Sequence, residues 1–444
     1  MIEEIERRMR KLLYILSLFV GFGINAQIPT PGAVQSKSTV ITNVTIHVGN
    51  GQKIENGAVA FVDGKITEVV DLSSGSIDHT KYERSIDGKG QHLYPGFIVA
   101  NSTIGITEVE AVRASNDFRE VGKYKPNVRS IIAYNTDSRV TPTVRTNGVL
   151  MGQCVPRGGR VTGTSSVVQY DAWNWEDAIV KEDDGIHLNW PNQYARSGWW
   201  AEPGPTSKSD VYDREVVEVR EFFKKAKAYN EGSATEINLV LKSMAGLFAG
   251  NQTLFVHCNT SKEITEVVHF TKEMGISKLV IVGGKEAVLV ADLLKENNVS
   301  VILSRVHAIP STEDSDIDEM YKMPAKLEEA GVLYCIDYSG DMEAMGARNL
   351  PFTAGTAVAY GLDYEKAVQS ITLNAAKILG IDDQYGSIEV GKSATFFLSA
   401  GDALDMRTND VVHAFIDGRE LDLDNHQKAL SRKYSEKLGV EVKE

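Results

Sequence analysis

Leu93-Tyr94-Pro95-Gly96-Phe97-Ile98-Val99-Ala100-Asn101-Ser102-Thr103-Ile104-Gly105 is the stretch whose reading decides the fold. Pro95-Gly96 is a strong turn signal. The apolar run Phe97 to Ala100 is short and bounded, which suits a strand buried on both faces. It gives way to Asn101, Ser102 and Thr103, small polar residues where a strand would end at solvent or at a ligand.

Working outward, the segment before this stretch is rich in short β-patterns. Thr39 to Val48 is rich in β-branched residues, and Ala58 to Val62 and Lys65 to Val70 flank Asp63-Gly64, a hairpin dipeptide. Such short strands need partners from elsewhere in the chain. The far end supplies them: Gly386 to Leu398 reads as turn then strand, and Val411 to Ile416 with Asp417-Gly418 and Arg419 to Leu421 reads as a closing hairpin. Between the two ends, strand-like runs alternate with helical ones. The strands are Gly148 to Val155, Leu254 to Asn259, Lys278 to Val282, Val299 to Leu303 and Val332 to Ile336. The helices are Arg214 to Tyr229, Ser261 to Met274, Lys285 to Glu296, Met323 to Ala330 and Tyr364 to Ile378, the last stopped by Gly380. This alternation is the mark of parallel strands with crossover helices. The fold class expected is α/β: a (β/α)8 barrel plus a small β-sandwich built from both ends of the chain. The division expected is a signal peptide over 1–26, a composite sandwich from 38–94 and 381–422, the barrel over 95–380 and a charged tail over 423–444.

A chain of 444 residues with 42% hydrophobic content has enough apolar material for that core. Its formal charge of -13 argues against nucleic acid, whose phosphates need a basic face. Arg7, Arg8, Arg10 and Lys11 precede the apolar run Leu12 to Gly23, with Ala26 at a cleavage point. This is the pattern of a secretory signal, with Met9 as its natural start. It places the protein outside the bacterial cytoplasm, periplasmic or secreted, with no membrane span in the mature chain. Cys154, Cys258 and Cys335 each fall in an apolar setting and read as buried free thiols.

The opening stretch resembles the first barrel strand of the amidohydrolase superfamily, where a Pro-Gly-Phe-Ile-Asp turn and strand lead to a His-x-His metal pair. The resemblance is to the imidazolonepropionase-like and prolidase-like branch. Further motifs are Ala347-Arg348-Asn349-Leu350-Pro351 through Gly355, Ile371-Thr372-Leu373-Asn374-Ala375-Ala376 and Leu279 to Ala287. It implies a divalent metal that acidifies a bound water and polarises a carbonyl, held by His and carboxylates at strand carboxyl ends. Carried onto this chain, the His pair falls at Asn101 and Thr103. The fifth-strand His is His257, followed by Asn259 where a second His is common. The sixth-strand His falls at Gly283. The last-strand Asp falls at Ser339, with Asp337 and Asp341 two residues to either side, and no counterpart of the fourth-strand ligand stands between Gln153 and Arg157.

Asn101, Thr103, His257, Asn259 and Ser339 are therefore the expected pocket residues, and His257, Asp337 and Asp341 the catalytic candidates. No cofactor is expected. The substitutions point to an exported amidohydrolase-like protein without the standard metal centre. It would act as a non-catalytic binder of a small molecule at the barrel mouth, or as partner to a homologous amidohydrolase subunit, and self-association suits the class. The alternative is a diverged hydrolase of C–N bonds, with zinc or another divalent metal at an atypical site. Two other features stand out. Arg157 to Ser165 is Gly-rich and reads as a structural barrel loop. The region 170–205, holding all five Trp residues, reads as a long irregular insertion at the barrel mouth, either a lid or binding surface or else an interface or self-packed cap.

Overall fold

Two Asp-Gly dipeptides set the terminal sheet. Asp63 and Gly64 have φ of 48° and 78°, and Asp417 and Gly418 have 49° and 72°. Both central residues of each turn are thus left-handed, the geometry that matches strand twist in tight hairpins. The computed structural model describes residues 31–199, 201–232, 236–310, 314–340 and 342–441. The expected signal peptide lies outside them, as does Asp341.

In the terminal sheet, Arg419–Glu420, Val411–Ile416 and Phe396–Ser399 from the end of the chain join His92–Pro95, Thr39–His47, Lys53–Val62 and Lys65–Asp71 from its beginning. The seam is antiparallel, Phe396 opposite Pro95 and Leu398 opposite Leu93. Phe61, Phe396 and Phe415 pack edge to face beneath it, and Ile41, Val44 and Ile46 complete a small core.

The second eight-stranded sheet follows the order of the chain: Phe97–Ser102, Val149–Cys154, Val161–Gln169, Ile179–Asn189, Thr253–Cys258, Leu279–Gly283, Ser300–Leu303 and Tyr334–Ile336. It curls into a nearly closed barrel. The first and last strands are bridged by Asn101 Nδ2 donating to Asp337 Oδ2 at 3.2 Å. The segment behind them helps, since Ile98 N donates to Ile371 O and Asn374 Nδ2 to Tyr334 O. The three cysteines are free and buried on barrel strands.

Two parts of this barrel depart from the sequence reading. Val161–Gln169 runs antiparallel to both neighbours. Residues 155–160 are too few for a crossover helix, and Gly158 and Gly159, at φ 77° and 81°, turn the chain straight back. The Gly-rich segment is therefore half turn, half strand. The region 170–205 is likewise not an irregular insertion. It contains the long barrel strand Ile179–Asn189, then the hairpin Tyr194–Trp199 with Glu202–Lys208. Trp190 is buried and donates to Tyr212 Oη, whereas Trp173 and Trp199 are exposed. The helix expected over 364–378 is broken into Tyr364–Ser370 and Leu373–Leu379 by Thr372, at φ -129° and ψ -95°. Gly380, at φ 67°, stops it as expected. Among the described residues no helix is long and apolar enough to cross a membrane.

The two sheets are fastened by a buried carboxylate. Asp171, just after the third barrel strand, accepts from Arg145 Nη1 at 2.5 Å and from Arg419 Nη1, on the closing hairpin, at 3.0 Å. Arg419 Nη2 also donates to Asp171 O and Gln169 Oε1. Removing the carboxylate strands two guanidinium groups, one of them almost fully buried. Asp171→Ala is expected to lower unfolding free energy by about 3–5 kcal/mol, read from urea denaturation.

Candidate functional site at the barrel mouth

Asn101 closes the first barrel strand in a left-handed conformation, φ 49°. Asn tolerates this better than most side chains. The turn brings its carbonyl and its side chain to the same neighbour. Arg157 Nη1 donates to Asn101 Oδ1 at 2.9 Å and Nη2 to Asn101 O at 2.6 Å. The far side of the guanidinium meets Glu343, with Nε 3.1 Å and Nη2 2.9 Å from Oε1. Glu343 Oε2 in turn accepts from Gly340 N. A fixed positive charge thus lies between the first strand's end and the helix after the last strand.

Asn101 Nδ2 faces the other way, to Asp337, which is fully buried and follows directly on the last strand. Burial pushes the Asp337 carboxyl up to about 7, with the Glu343 charge adding and the Ser339 hydroxyl and Asn101 amide opposing.

From Asn101 a buried polar lattice crosses the barrel, one strand at a time. Asn101 N donates to Gln153 Oε1 at 3.2 Å. Gln153 Nε2 donates to Asp184 Oδ2 at 2.7 Å and to Ser165 Oγ at 3.2 Å. Ser165 Oγ lies 2.7 Å from Asp184 Oδ1 and 3.0 Å from His187 Nε2. His187 Nδ1 lies 3.0 Å from His257 Nε2, and its ring stacks on Phe255. Burial raises the Asp184 carboxyl to about 6 against the Ser165 and Gln153 hydrogen bonds. Burial lowers His257 to about 3, the nearby Arg157 charge adding to it. His187 is also held well down, first by burial and then by His257 and Arg157. Both imidazoles are neutral at physiological pH.

His257 opens onto a cavity of about 380 Å³. Of the expected pocket residues, Asn101, His257, Asn259 and Ser339 line it together, joined by Arg160 and Trp190. Thr103 is buried and not part of that wall. Asp337 sits behind Asn101, not in the wall. Sequence reasoning missed Asp184, Ser165 and His187, which lie in the segments read as loop and insertion, and missed the bonding of Arg157. The polar residues Ser165, Asp184 and His187 within strand-length segments are the one signal that pointed to them.

The divalent metal implied by the resemblance does not fit the described side chains. Asn101 is committed to Arg157 and Asp337. Gly283 has φ 107°, and a Cβ there would stand 2.7 Å from Asn259 Oδ1 and 2.9 Å from Cys258 O, so a side-chain ligand at that position is excluded sterically. Among the described residues no group of three or more His, Cys, Asp and Glu is placed to share a cation.

A sequence model of the amidohydrolase family matches residues 201–421, from the turn of the hairpin that follows the fourth barrel strand through the closing strands. No curated protein sequence matches the chain. Among solved structures, the chain is similar to an amidohydrolase from Thermotoga maritima MSB8, at 24% identity and a TM-score of 0.73 over 86% of this chain and 99% of that one. It is also similar to a Xaa-Pro dipeptidase with bound methionine in its active site, at 14% identity and TM-score 0.52 over 87% and 100%. An adenosine deaminase from Xanthomonas campestris with bound zinc shares 15% identity, TM-score 0.51, over 92% and 99%.

The raised carboxyl gives a pH signature. Unfolded, Asp337 titrates near ~3.9; folded, at about 7. Between these values the native state holds the proton more tightly, so this group's contribution to stability is full at low pH and is lost as pH rises through the folded value. The stability of Asp337→Asn relative to wild type is expected to increase from pH 4 to pH 7 and level off above, measured by urea denaturation across that range.

Proposed function

We propose that this chain, whose residues 201–421 match the amidohydrolase family, uses its barrel mouth as a binding site without hydrolytic chemistry. The observation that carries this reading is the Arg157 clamp. A guanidinium, permanently charged, bonds to the side chain at the position of the family's first metal-binding His and is neutralised by Glu343. A second cation beside it would meet repulsion at short range. Asn101 Oδ1 already accepts from that guanidinium, and Gly283 has no room for a ligand. The family's reaction relies on a cation to acidify water and polarise a carbonyl, and these side chains supply neither function.

The occupant proposed is a small molecule at the mouth, with a homologous amidohydrolase subunit as the other partner the family suggests. Export to the periplasm or medium is part of the same proposal and rests on the amino-terminal sequence pattern alone. The competing reading, hydrolysis of a C–N bond, finds its support in His257, a neutral imidazole at the cavity wall that suits a general base.

Elemental analysis of the purified full chain is expected to show zinc, iron and manganese far below one ion per chain. Substituting His257→Ala is expected to leave any background turnover of acyl-dipeptides unchanged. One tightly held metal per chain, or metal-dependent turnover abolished in that variant, would defeat the proposal.

A further inference from the structure

The polar lattice does more than fill the barrel: it fixes which hydrogen-bonding face His257 turns to the cavity. The direction of each bond follows from the one before. Asn101 N is a backbone donor, so the Gln153 atom that meets it is the amide oxygen. Gln153 Nε2 must then be the donor to Asp184 Oδ2 and Ser165 Oγ. Ser165 has a single hydrogen, and its acceptors are Asp184 Oδ1 at 2.7 Å and Gly185 O at 3.2 Å. With that hydrogen committed, Ser165 Oγ accepts from His187, whose proton is therefore on Nε2. A neutral His187 then has a bare Nδ1, which accepts from His257 Nε2–H. His257 in turn has a bare Nδ1. Its ring lines the cavity, and that nitrogen has no partner among the described residues.

We propose that the cavity binds a neutral, hydroxyl-rich small molecule, one of whose O–H groups donates to His257 Nδ1. The wall supports this class. Asn192 and Asn259 contribute amides, Asn189 an amide oxygen, and Ser304 and Ser339 hydroxyls. Amides and hydroxyls both donate and accept, as a polyol does. No carboxylate lines the cavity among the described residues. Its one formal charge there, Arg160, is paired with Glu215 at 2.6 Å and donates to Asn189 O. A carboxylate ligand would set its lone pairs against the His257 lone pair, whereas a hydroxyl satisfies it. Leaving a buried acceptor unmet is costly, so the site selects against molecules without a donor at that point. The volume lies within the range of small-molecule sites. Ser165 and His187 are positioning residues, since they act through His257.

This inference rests on the reading of the mouth as a binding site, and the test separates the two. The full-length chain is labelled with ¹⁵N-histidine, and its ring tautomers are read by long-range ¹H–¹⁵N correlation at mildly alkaline pH. His257→Gln identifies the His257 signals. The expected spectrum shows Nε2–H with bare Nδ1 for both His187 and His257. The His257 Nδ1 signal is expected to shift on addition of myo-inositol and to stay in place with acetate. Ser165→Ala is expected to release His187 into mixed tautomers and to weaken the inositol response several-fold. If that variant does not fold, the wild-type spectrum decides alone. A proton on His257 Nδ1, or a response to acetate and none to inositol, in metal-free protein overturns this inference and leaves the binding-site reading standing. A metal ion on His257 overturns both.

Discussion

A part-buried guanidinium at the end of a barrel constrains everything it touches. Arg157 cannot lose its proton, and every one of its hydrogens demands an acceptor. Asn101 meets two of those demands with its carbonyl and Oδ1, and Glu343 balances the charge. Once Oδ1 is committed to Arg157, the Asn101 amide has one orientation only, and Nδ2 must face Asp337. The closing contact between first and last strands thus follows from a charge on the loop after the second. That coupling explains why a short last strand, Tyr334–Ile336, is held beside the first without a ladder of backbone hydrogen bonds.

The barrel interior is usually a stack of apolar layers. Here a connected set of interior residues is polar: Asn101, Gln153, Ser165, Asp184, His187 and Asp337 are all buried. Such a set is stable only if its members satisfy one another, because a half-met polar network is worse than an apolar one. The distances show that they do. Burial raises the pKa of two of the network's carboxyls, Asp184 and Asp337. The lattice therefore gives up some stability for a single defined arrangement of donors and acceptors, with the apolar strands beneath it carrying the fold.

How far this was legible in the sequence depends on where polar residues fall. The two ends of the chain declared themselves through Pro95-Gly96 and the two Asp-Gly turns. Strands such as Thr253–Cys258 and Leu279–Gly283 did so through unbroken apolar runs. Ile179–Asn189 did not. Its first half carries Lys181, Glu182 and Asp183, of which Glu182 and Asp183 face outward to pair with Arg129, while Asp184 and His187 turn inward. Val161–Gln169 hid for the same reason, its inner face carrying Ser165. The site was half visible. Asn101, His257, Asn259 and Ser339 came from the family pattern, and Asp337 from a two-residue shift that keeps a strand's facing. His187 was out of reach because its partner is on the neighbouring strand, with Phe255, not His257, in register opposite it. No local spacing encodes that diagonal pair.

The same lattice sets a limit on what the mouth can become. Each member has its hydrogen-bonding capacity assigned by the one before, so a change at one point leaves an unmet polar group at another. Replacing Asn101 by a metal-binding side chain would take one acceptor from Arg157 and the amide donor from Asp337, and it would do so without creating space at Gly283, where Asn259 and the Cys258 carbonyl already press in. A metal-binding mouth would therefore need several concerted substitutions, on strands far apart in sequence. By contrast, the residues that face the cavity without bonding into the lattice, Asn192, Asn259 and Ser304, are open to change one at a time. Diversity among related proteins of this design is thus expected in the wall that meets a ligand, above a floor that stays as it is.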